Sequence, residues 1–481
     1  MALMNGSQYL KSLRALKLSA IIHGRTVTDA SDHPLAAPSA AAVAATYDLA
    51  CDPATAPLLT AESSLTGDTV NRFSHLHRSA DDLVRKVRMQ RLCGNRTGCC
   101  FQRCVGLDAA NAVFSVTYEC DAAHATKYHG RFIDYWKMIQ KNDWVVDGAM
   151  TDPKGDRGKR PKDQVDPDLY LRVVDRRPGG IVVRGAKLHQ TGMLNSHEVL
   201  VMPTVAMRTG EEDWAVAFAV PTNAPGVRHI FGRQTSDTRK LEASRLDVGN
   251  PTFGGQEVMT VFEDVFVPDE RVFMCGEVDQ SGKLVERFAG YHRQSYGGCK
   301  VGVGDLLIGA SALIARMNGA ADASHIKEKL IEMTHLNETM FACGLACSAT
   351  GHPTAAGNYE IDMLLANVCK LNVTRMPYEI ARLATEIAGG LLGTMPSAQD
   401  LADPTAGPLI RKYLAASPDY DVEARMKVLR LIENLVAGAG AVAYLIESMH
   451  GAGPPAAQRI MIGRQGDLEG KIGLAKKLLG L

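Results

Sequence analysis

Two stretches nearly two hundred residues apart hold the residue types best suited to chemistry: CCFQRC, Cys99 to Cys104, and HRQSYGGCK, His292 to Lys300. Cys100 and Cys104 are four apart, which on an α-helix puts them on one face, one turn from each other. His292, Tyr296, Cys299 and Lys300 fall at i, i+4, i+7 and i+8, again a single helical face. Three thiols and one imidazole on two such faces can close around one metal centre. Gly297 and Gly298 each cost about 1 kcal/mol relative to Ala inside a helix, which implies that something bulky approaches the backbone there. The C-x3-C spacing alone is a weak signal. Cys343 and Cys347 (FACGLAC) share it, sit in an Ala-rich apolar run with no His nearby, and read as core.

The elements that must position these residues belong to a chain of 481 residues, long enough for about three domains by the usual length prior. Lys+Arg and Asp+Glu are both 53, so charge offers no case for nucleic acid or an anionic membrane. No run of uncharged apolar residues reaches the ~18 needed to span a bilayer, and the N-terminus has no leader-like apolar stretch. Eleven cysteines in such a chain point to a reducing, cytoplasmic setting and to metal or packing roles rather than disulfides.

Residues 1–145 read as mostly helical, with apolar periodicity from Leu76 to Leu92 and from Phe132 to Gln140, Asp81 and Asp82 near a helix start, and surface loops over Asp29 to Pro38 and Asp52 to Pro57. A Gly-, Pro-, Asp- and Lys-rich loop, GAMTDPKGDRGKRPKDQ, follows. Residues 146–280 are dominated by short β-type runs such as LYLRVVDRR, GIVVRGAKL, HEVLVMPTVAM, WAVAFAVP and VMTVFEDVFVP. Residues 281–481 return to helical periodicity over Val301 to Met317, His325 to Ser348, Tyr359 to Ile387 and Val422 to His450. The expected class is α+β: an N-terminal helical domain, a middle β-domain and a C-terminal helical bundle.

That order, with the β-domain closing on FEDVFVP, resembles the acyl-CoA dehydrogenase fold, in which flavin lies between β-domain and bundle. GAMTDPKGDR and KLHQTG resemble flavin-contacting segments of the 4-hydroxyphenylacetate 3-monooxygenase group. The resemblance places FAD contacts at Ala149, Met150, Thr151, Lys154, Gly155 and Arg157, and at Lys187, Gln190 and Thr191. EIAGGLLGTMPS resembles the glycine-rich flavin loop of the bundle and adds Glu386, Gly389 and Gly390. With the Cys and His motifs included, the whole chain resembles the 4-hydroxybutyryl-CoA dehydratases, which also act as vinylacetyl-CoA isomerases. That family holds FAD and a [4Fe-4S] cluster ligated by three cysteines and one histidine, a pattern that maps onto Cys100, Cys104, His292 and Cys299. Cys99 has Arg103 rather than a cysteine four residues on.

The family's reaction converts 4-hydroxybutyryl-CoA to crotonyl-CoA, and it must break a C3–H bond that no carbonyl activates directly. Acid–base catalysis contributes only about 10²–10⁴-fold; a flavin adds a radical route by taking one electron from the C2 enolate. A cluster iron can draw off the C4 hydroxyl as a Lewis acid. The resemblance further implies Tyr296 as proton donor to the leaving hydroxide and Lys300 polarising substrate or pairing with a carboxylate. It implies Glu257 and Glu447 as carboxylates near substrate, and Thr191 against flavin or thioester. A homotetramer is also implied, its Ala/Gly-rich helices such as Val436 to Tyr444 suited to close contact. Two other readings compete: a flavin-dependent aromatic monooxygenase of the same fold, and a structural Zn site on the same four ligands.

Overall fold

The computed structural model describes residues 3–233, 238–242 and 244–481. The N-terminal region contains α1 (Gly6–Ala15), β1 (Ala20–Ile22), β2 (Arg25–Val27), α2 (Ala37–Cys51), α3 (Ala56–Leu59), β3 (Thr60–Glu62), β4 (Thr69–Asn71), α4 (Ala80–Thr97), α5 (Cys104–His124) and α6 (Tyr128–Asn142). Helix α4 begins where its sequence asks it to. Ser79 caps the Asp82 amide, Asp81 and Asp82 face the positive end of the helix dipole, and Gly98 closes it in the left-handed conformation. The region is mostly helix, as its periodicity suggests, with four short strands among the helices. Apolar Ala20–Ile22 and β-branched Thr26 and Val27 flank His23 and Gly24, both at positive φ, and this short hairpin edges the larger sheet.

The strands are β5 (Val146–Ala149), β6 (Arg172–Arg177), β7 (Gly180–Thr191), β8 (Glu198–Val201), β9 (Val216–Pro221), β10 (Val227–Phe231), β11 (Glu257–Pro268) and β12 (Val272–Cys275). They form a six-stranded sheet, β2-β1-β10-β11-β7-β6, and a four-stranded sheet, β12-β9-β8-β5. The long antiparallel pair β7–β11 sets Thr191 directly opposite Glu257 at one end of the larger sheet.

The C-terminal part comprises α7 (Val278–Met317), α8 (Ser324–Ala349), the ribbon β13 (His352–Pro353) and β14 (Tyr359–Glu360), α9 (Met363–Val373), α10 (Met376–Ala388), α11 (Ala398–Ala402), α12 (Ala406–Tyr413) and α13 (Val422–Val436). A π-helical turn, Val442–Ile446, runs into α14 (Glu447–His450), before α15 (Pro455–Gln465) and α16 (Leu468–Leu479). The periodicity from Tyr359 to Ile387 is two helices, split before Pro377, whose ring suits only a first turn. The VAGAGAVAY stretch is helix only in part: residues 437–439 form a break, and helix resumes at Gly440 into the π-helical turn. The chain breaks after Val436 and wraps Asn434, whose side chain accepts the Gly440 amide and leaves no room for a Cβ there.

Helix α7, 40 residues long, packs against α4, α5, α8, α9, α10 and α13. It is long and apolar enough to cross a membrane, yet its apolar stretch is mostly buried inside the protein, as suits a core helix. Phe288 and Tyr291 join the apolar core shared with both sheets, whereas Tyr296 joins the core of the C-terminal bundle. The bulk that meets Gly297 and Gly298 is protein: a Cβ on Gly297 would lie 2.7 Å from the Gly344 Cα of α8, and one on Gly298 would lie 2.4 Å from the Val87 carbonyl of α4. Helix packing accounts for both glycines.

Candidate active site

His292, Tyr296, Cys299 and Lys300 project from one face of α7, as their spacing predicts. Cys100 and Cys104 do not share a helix. Gly98 ends α4, Gln102 takes a left-handed φ of 63°, and Cys104 opens α5, so Cys100 sits in the turn between two helices. The turn still brings the thiols together. Burial pushes the Cys100 and Cys104 thiols well above their usual range, and the nearby Cys299 raises both further while Lys300 opposes. Burial is also the main cause of the raised Cys299, partly offset by Lys300. Cys99 is pushed up to about 12 by burial, with Thr97, Lys240 and Lys300 opposing and Glu447 adding to the rise. Among the described residues, no three or more His, Cys, Asp and Glu side chains are gathered as the ligands of one ion would be.

The His292 ring stacks on Phe288 (centroids 5.8 Å) and meets Tyr296 edge-on (5.1 Å). Its Nδ1 lies 2.8 Å from Asp108 Oδ2. Asp108, fully buried on α5, also accepts from Ser295 Oγ at 2.9 Å and from the Lys86 ammonium. Burial works against its charge, but Lys86 and His292 hold its carboxyl below the usual range. Sequence reasoning missed Asp108 and Lys86. The available signal was Cys104-x3-Asp108, a second four-residue step on the same helix face.

Beside Lys300 lies a carboxylate pair. Thr191 Oγ1 donates to Glu257 Oε1. Burial first, and the neighbouring Glu447 second, hold the Glu257 carboxyl well above its usual range. Lys300 Nζ sits 2.6 Å from Glu447 Oε2 and 2.5 Å from the Ala443 carbonyl, in the π-helical turn. Burial opposes its charge, yet Glu447 and the thiols Cys299 and Cys100 outweigh that and stabilise the ammonium. Lys370, also missed, lies 4.2 Å above the Tyr296 ring and donates to the Ser448 carbonyl. Burial, Lys300 and Arg293 push it towards the neutral amine. The Cys–Lys dipeptide of Cys299–Lys300 recurs at Cys369–Lys370, which was the clue. Burial, Glu447 and the three cysteines hold the Tyr296 phenol protonated well above its usual range. Any Cβ on Gly451 would lie 1.7 Å from that hydroxyl.

The segments expected to touch flavin meet beside this pair. Ala149 ends β5, and half-buried Met150 and Thr151 follow, with the Thr151 carbonyl accepting from the Leu188 amide at 2.8 Å. Lys154 (φ 72°) and Gly155 (φ 48°) form the turn, and Arg157 is exposed. Lys187 is committed elsewhere. Its buried ammonium pairs with Asp152 at 2.7 Å and donates to the Met150 and Met202 carbonyls, buckling the turn to β7. Gln190 is buried and bonds back to the Leu188 carbonyl. Burial lowers Lys154, and Arg157 lowers it further; burial lowers His189 next to Lys154 and His450. Lys154, whose ammonium feels the Arg157 guanidinium, offers with it a pair of cations suited to a pyrophosphate, so these residues fit FAD. The thiols of Cys100, Cys104 and Cys299 beside Lys300, with an anchored imidazole, likewise fit a group able to stabilise thiolates. Glu386, Gly389 and Gly390 lie exposed on the bundle surface, Glu386 pairing with Lys329 and Arg382.

Family models for the N- and C-terminal parts of 4-hydroxyphenylacetate 3-hydroxylase match residues 5–274 and 281–480. The chain is 58% identical to the 4-hydroxybutyryl-CoA dehydratase/vinylacetyl-CoA-Delta-isomerase of Clostridium aminobutyricum, over all of both chains. It superposes on an oxygen-tolerant archaeal 4-hydroxybutyryl-CoA dehydratase from N. maritimus with TM-score 0.98 and 53% identity, covering 100% of this chain and 95% of that one. The oxygenase component of 4-hydroxyphenylacetate 3-monooxygenase, solved with FAD, shares the fold at TM-score 0.87 and 24% identity, covering 99% and 98%. The chain belongs to the 4-hydroxybutyryl-CoA dehydratase/vinylacetyl-CoA isomerase family, within the larger 4-hydroxyphenylacetate 3-hydroxylase fold family.

Proposed function

We propose that this protein dehydrates 4-hydroxybutyryl-CoA to crotonyl-CoA and isomerises vinylacetyl-CoA to the same product, using FAD and a [4Fe-4S] cluster on Cys100, Cys104, Cys299 and His292. The full-length 58% identity supports the reaction. The observation that carries the site is the meeting, on one face of α7, of three thiols, His292 and the Lys300–Glu447–Glu257–Thr191 chain. When bound, FAD supplies one-electron chemistry that acidifies C3–H, and the cluster supplies a Lewis-acidic iron for the C4 oxygen.

The chain's own groups handle the protons. The Glu257–Glu447 pair takes the C2 proton; Lys300 limits the negative charge between the two carboxylates, and Thr191 fixes Glu257. Tyr296, protonated and beside His292, donates to the departing hydroxide. Tyr296 regains its proton from C3 and the carboxylate pair returns the C2 proton to C4, so C2 and C3 each lose one hydrogen, C4 exchanges hydroxide for hydrogen, water leaves and crotonyl-CoA remains. Lys154, Arg157 and His189 suit phosphate groups of FAD or CoA. We place the exposed Glu386–Gly390 turn against FAD of a neighbouring subunit in a homotetramer; a flavin-loaded monomer in sedimentation would refute that.

The test is anaerobic purification followed by iron and flavin counts and an assay on 4-hydroxybutyryl-CoA. Brown protein with about four irons and one FAD per chain that releases crotonyl-CoA is the expected outcome. Yellow, iron-free protein would favour the monooxygenase, and zinc without flavin the structural metal site.

A further inference from the structure

We infer that Asp108 is the positioning residue for His292, holding Nδ1 so that Nε2 is the nitrogen presented for ligation. The inference rests on the cluster reading above. The motivating geometry is a 2.8 Å contact between His292 Nδ1 and a fully buried carboxylate that already accepts Lys86 and Ser295. A carboxylate taking bonds from an ammonium and a hydroxyl has no proton to give, so the proton between it and the imidazole sits on Nδ1. The ring's plane is fixed by Phe288 below and Tyr296 at its edge.

The support is rigid. Lys86 Nζ also donates to the Tyr291 carbonyl at 3.1 Å and to Gln294 Oε1 at 2.9 Å, and Gln294 Nε2 reaches Ser348 Oγ at 2.7 Å. Helices α4, α5, α7 and α8 are thereby joined behind the imidazole. Because Asp108 lies four residues after Cys104, the turn of α5 that supplies a thiol also supplies the anchor for the histidine. A carboxylate drawing on Nδ1–H makes Nε2 a stronger donor. An iron held by this ring is therefore richer in electrons and harder to reduce.

Removing Asp108 alone would strand a buried ammonium, so the test variant is Lys86→Gln/Asp108→Asn. Iron and FAD should stay near wild-type levels. kcat should fall about 10–100-fold with KM little changed, and the cluster's midpoint potential should rise. The same pair of changes in a His292→Cys background should leave the potential unmoved, since the effect runs through the imidazole. An equal shift in both backgrounds, or none in either, would overturn the inference. If the double variant fails to fold, Asp108→Glu is read by the same two-background comparison of potentials. A wild-type protein without iron sinks the cluster reading and this inference together; an iron-loaded wild type whose potential ignores Asp108 sinks only the inference.

Discussion

Helix α7 has a group of thiols on each side, and the two groups have opposite characters. Towards α4 and α5 lie Cys100, Cys104 and Cys299; towards α8 and α9 lie Cys343, Cys347 and Cys369, also close enough to raise one another. Both sides contain a C-x3-C pair and a Cys–Lys dipeptide. On the first side the thiols share their surroundings with Lys300, Glu447, Tyr296 and the Asp108–His292 pair. On the second, neutral groups occupy the sulfurs: Cys347 donates to the Gly344 carbonyl, Cys369 to the Met340 carbonyl, and Cys343 accepts from Asn372. Lys300 is held charged by Glu447, whereas Lys370, bonded to the Glu447 and Ser448 carbonyls, is pushed towards neutrality. Spacing gathers thiols; the charge around them decides whether they can do chemistry.

The largest expected effect separates the two sides directly. Cys104→Ala should lose most of its iron and all dehydration, while Cys347→Ala should keep both and lose about 1 kcal/mol of stability. Equal iron per chain in the two variants would break the comparison. Next comes His292→Cys, which keeps a full ligand set of thiols and should retain iron and FAD. Its dehydration rate should fall by more than the ~10–100-fold that losing a ligand's hydrogen-bond partner costs, because an anionic thiolate in place of a neutral imidazole leaves the iron a weaker Lewis acid. Near wild-type turnover by a fully loaded His292→Cys protein would reduce His292 to a ligand of convenience.

The same contrast holds for buried aspartates and predicts a pH effect. Asp108 has Lys86, His292 and Ser295, whereas Asp147 on β5, equally buried, has no hydrogen-bond partner for either carboxylate oxygen among the described residues. Burial pushes Asp147 up to about 7 from 3.8. The native state therefore holds a proton that the unfolded chain releases, and stability falls as pH rises from about 4 to about 7, by up to roughly 4 kcal/mol. Asp147→Asn should flatten that slope in urea midpoints measured at both ends of the window; an unchanged slope would show that another group causes it. The smallest effect concerns packing of α7 itself. Gly298→Ala, which drives a Cβ against the Val87 carbonyl, should cost about 1–3 kcal/mol. Gly309→Ala, on an open face of the same helix, should gain up to about 1 kcal/mol. Thermal unfolding that moves both the same way would contradict the packing assigned here.

Local signals set much of the architecture. Ser79, Asp81 and Asp82 mark the start of α4, and the heptad-like recurrence of His292, Tyr296, Cys299 and Lys300 fixes one face of α7, because caps and helical periodicity depend only on nearby residues. The Cys and His motifs, with the flavin-like segments, also identified the family from sequence alone. Tertiary structure decided the rest. Cys100 reaches Cys104 through a left-handed turn at Gln102 and not along a helix, and Val436 to Tyr444 breaks around Asn434 where helix was expected. Asp108 and Lys86 came from α5 and α4, and the meeting of Glu257 with Glu447 needed a strand end and a π-helical turn from opposite parts of the chain. Nothing in a local window states which distant charge faces a buried group. Desolvation makes that pairing decisive, and only the packed fold sets it.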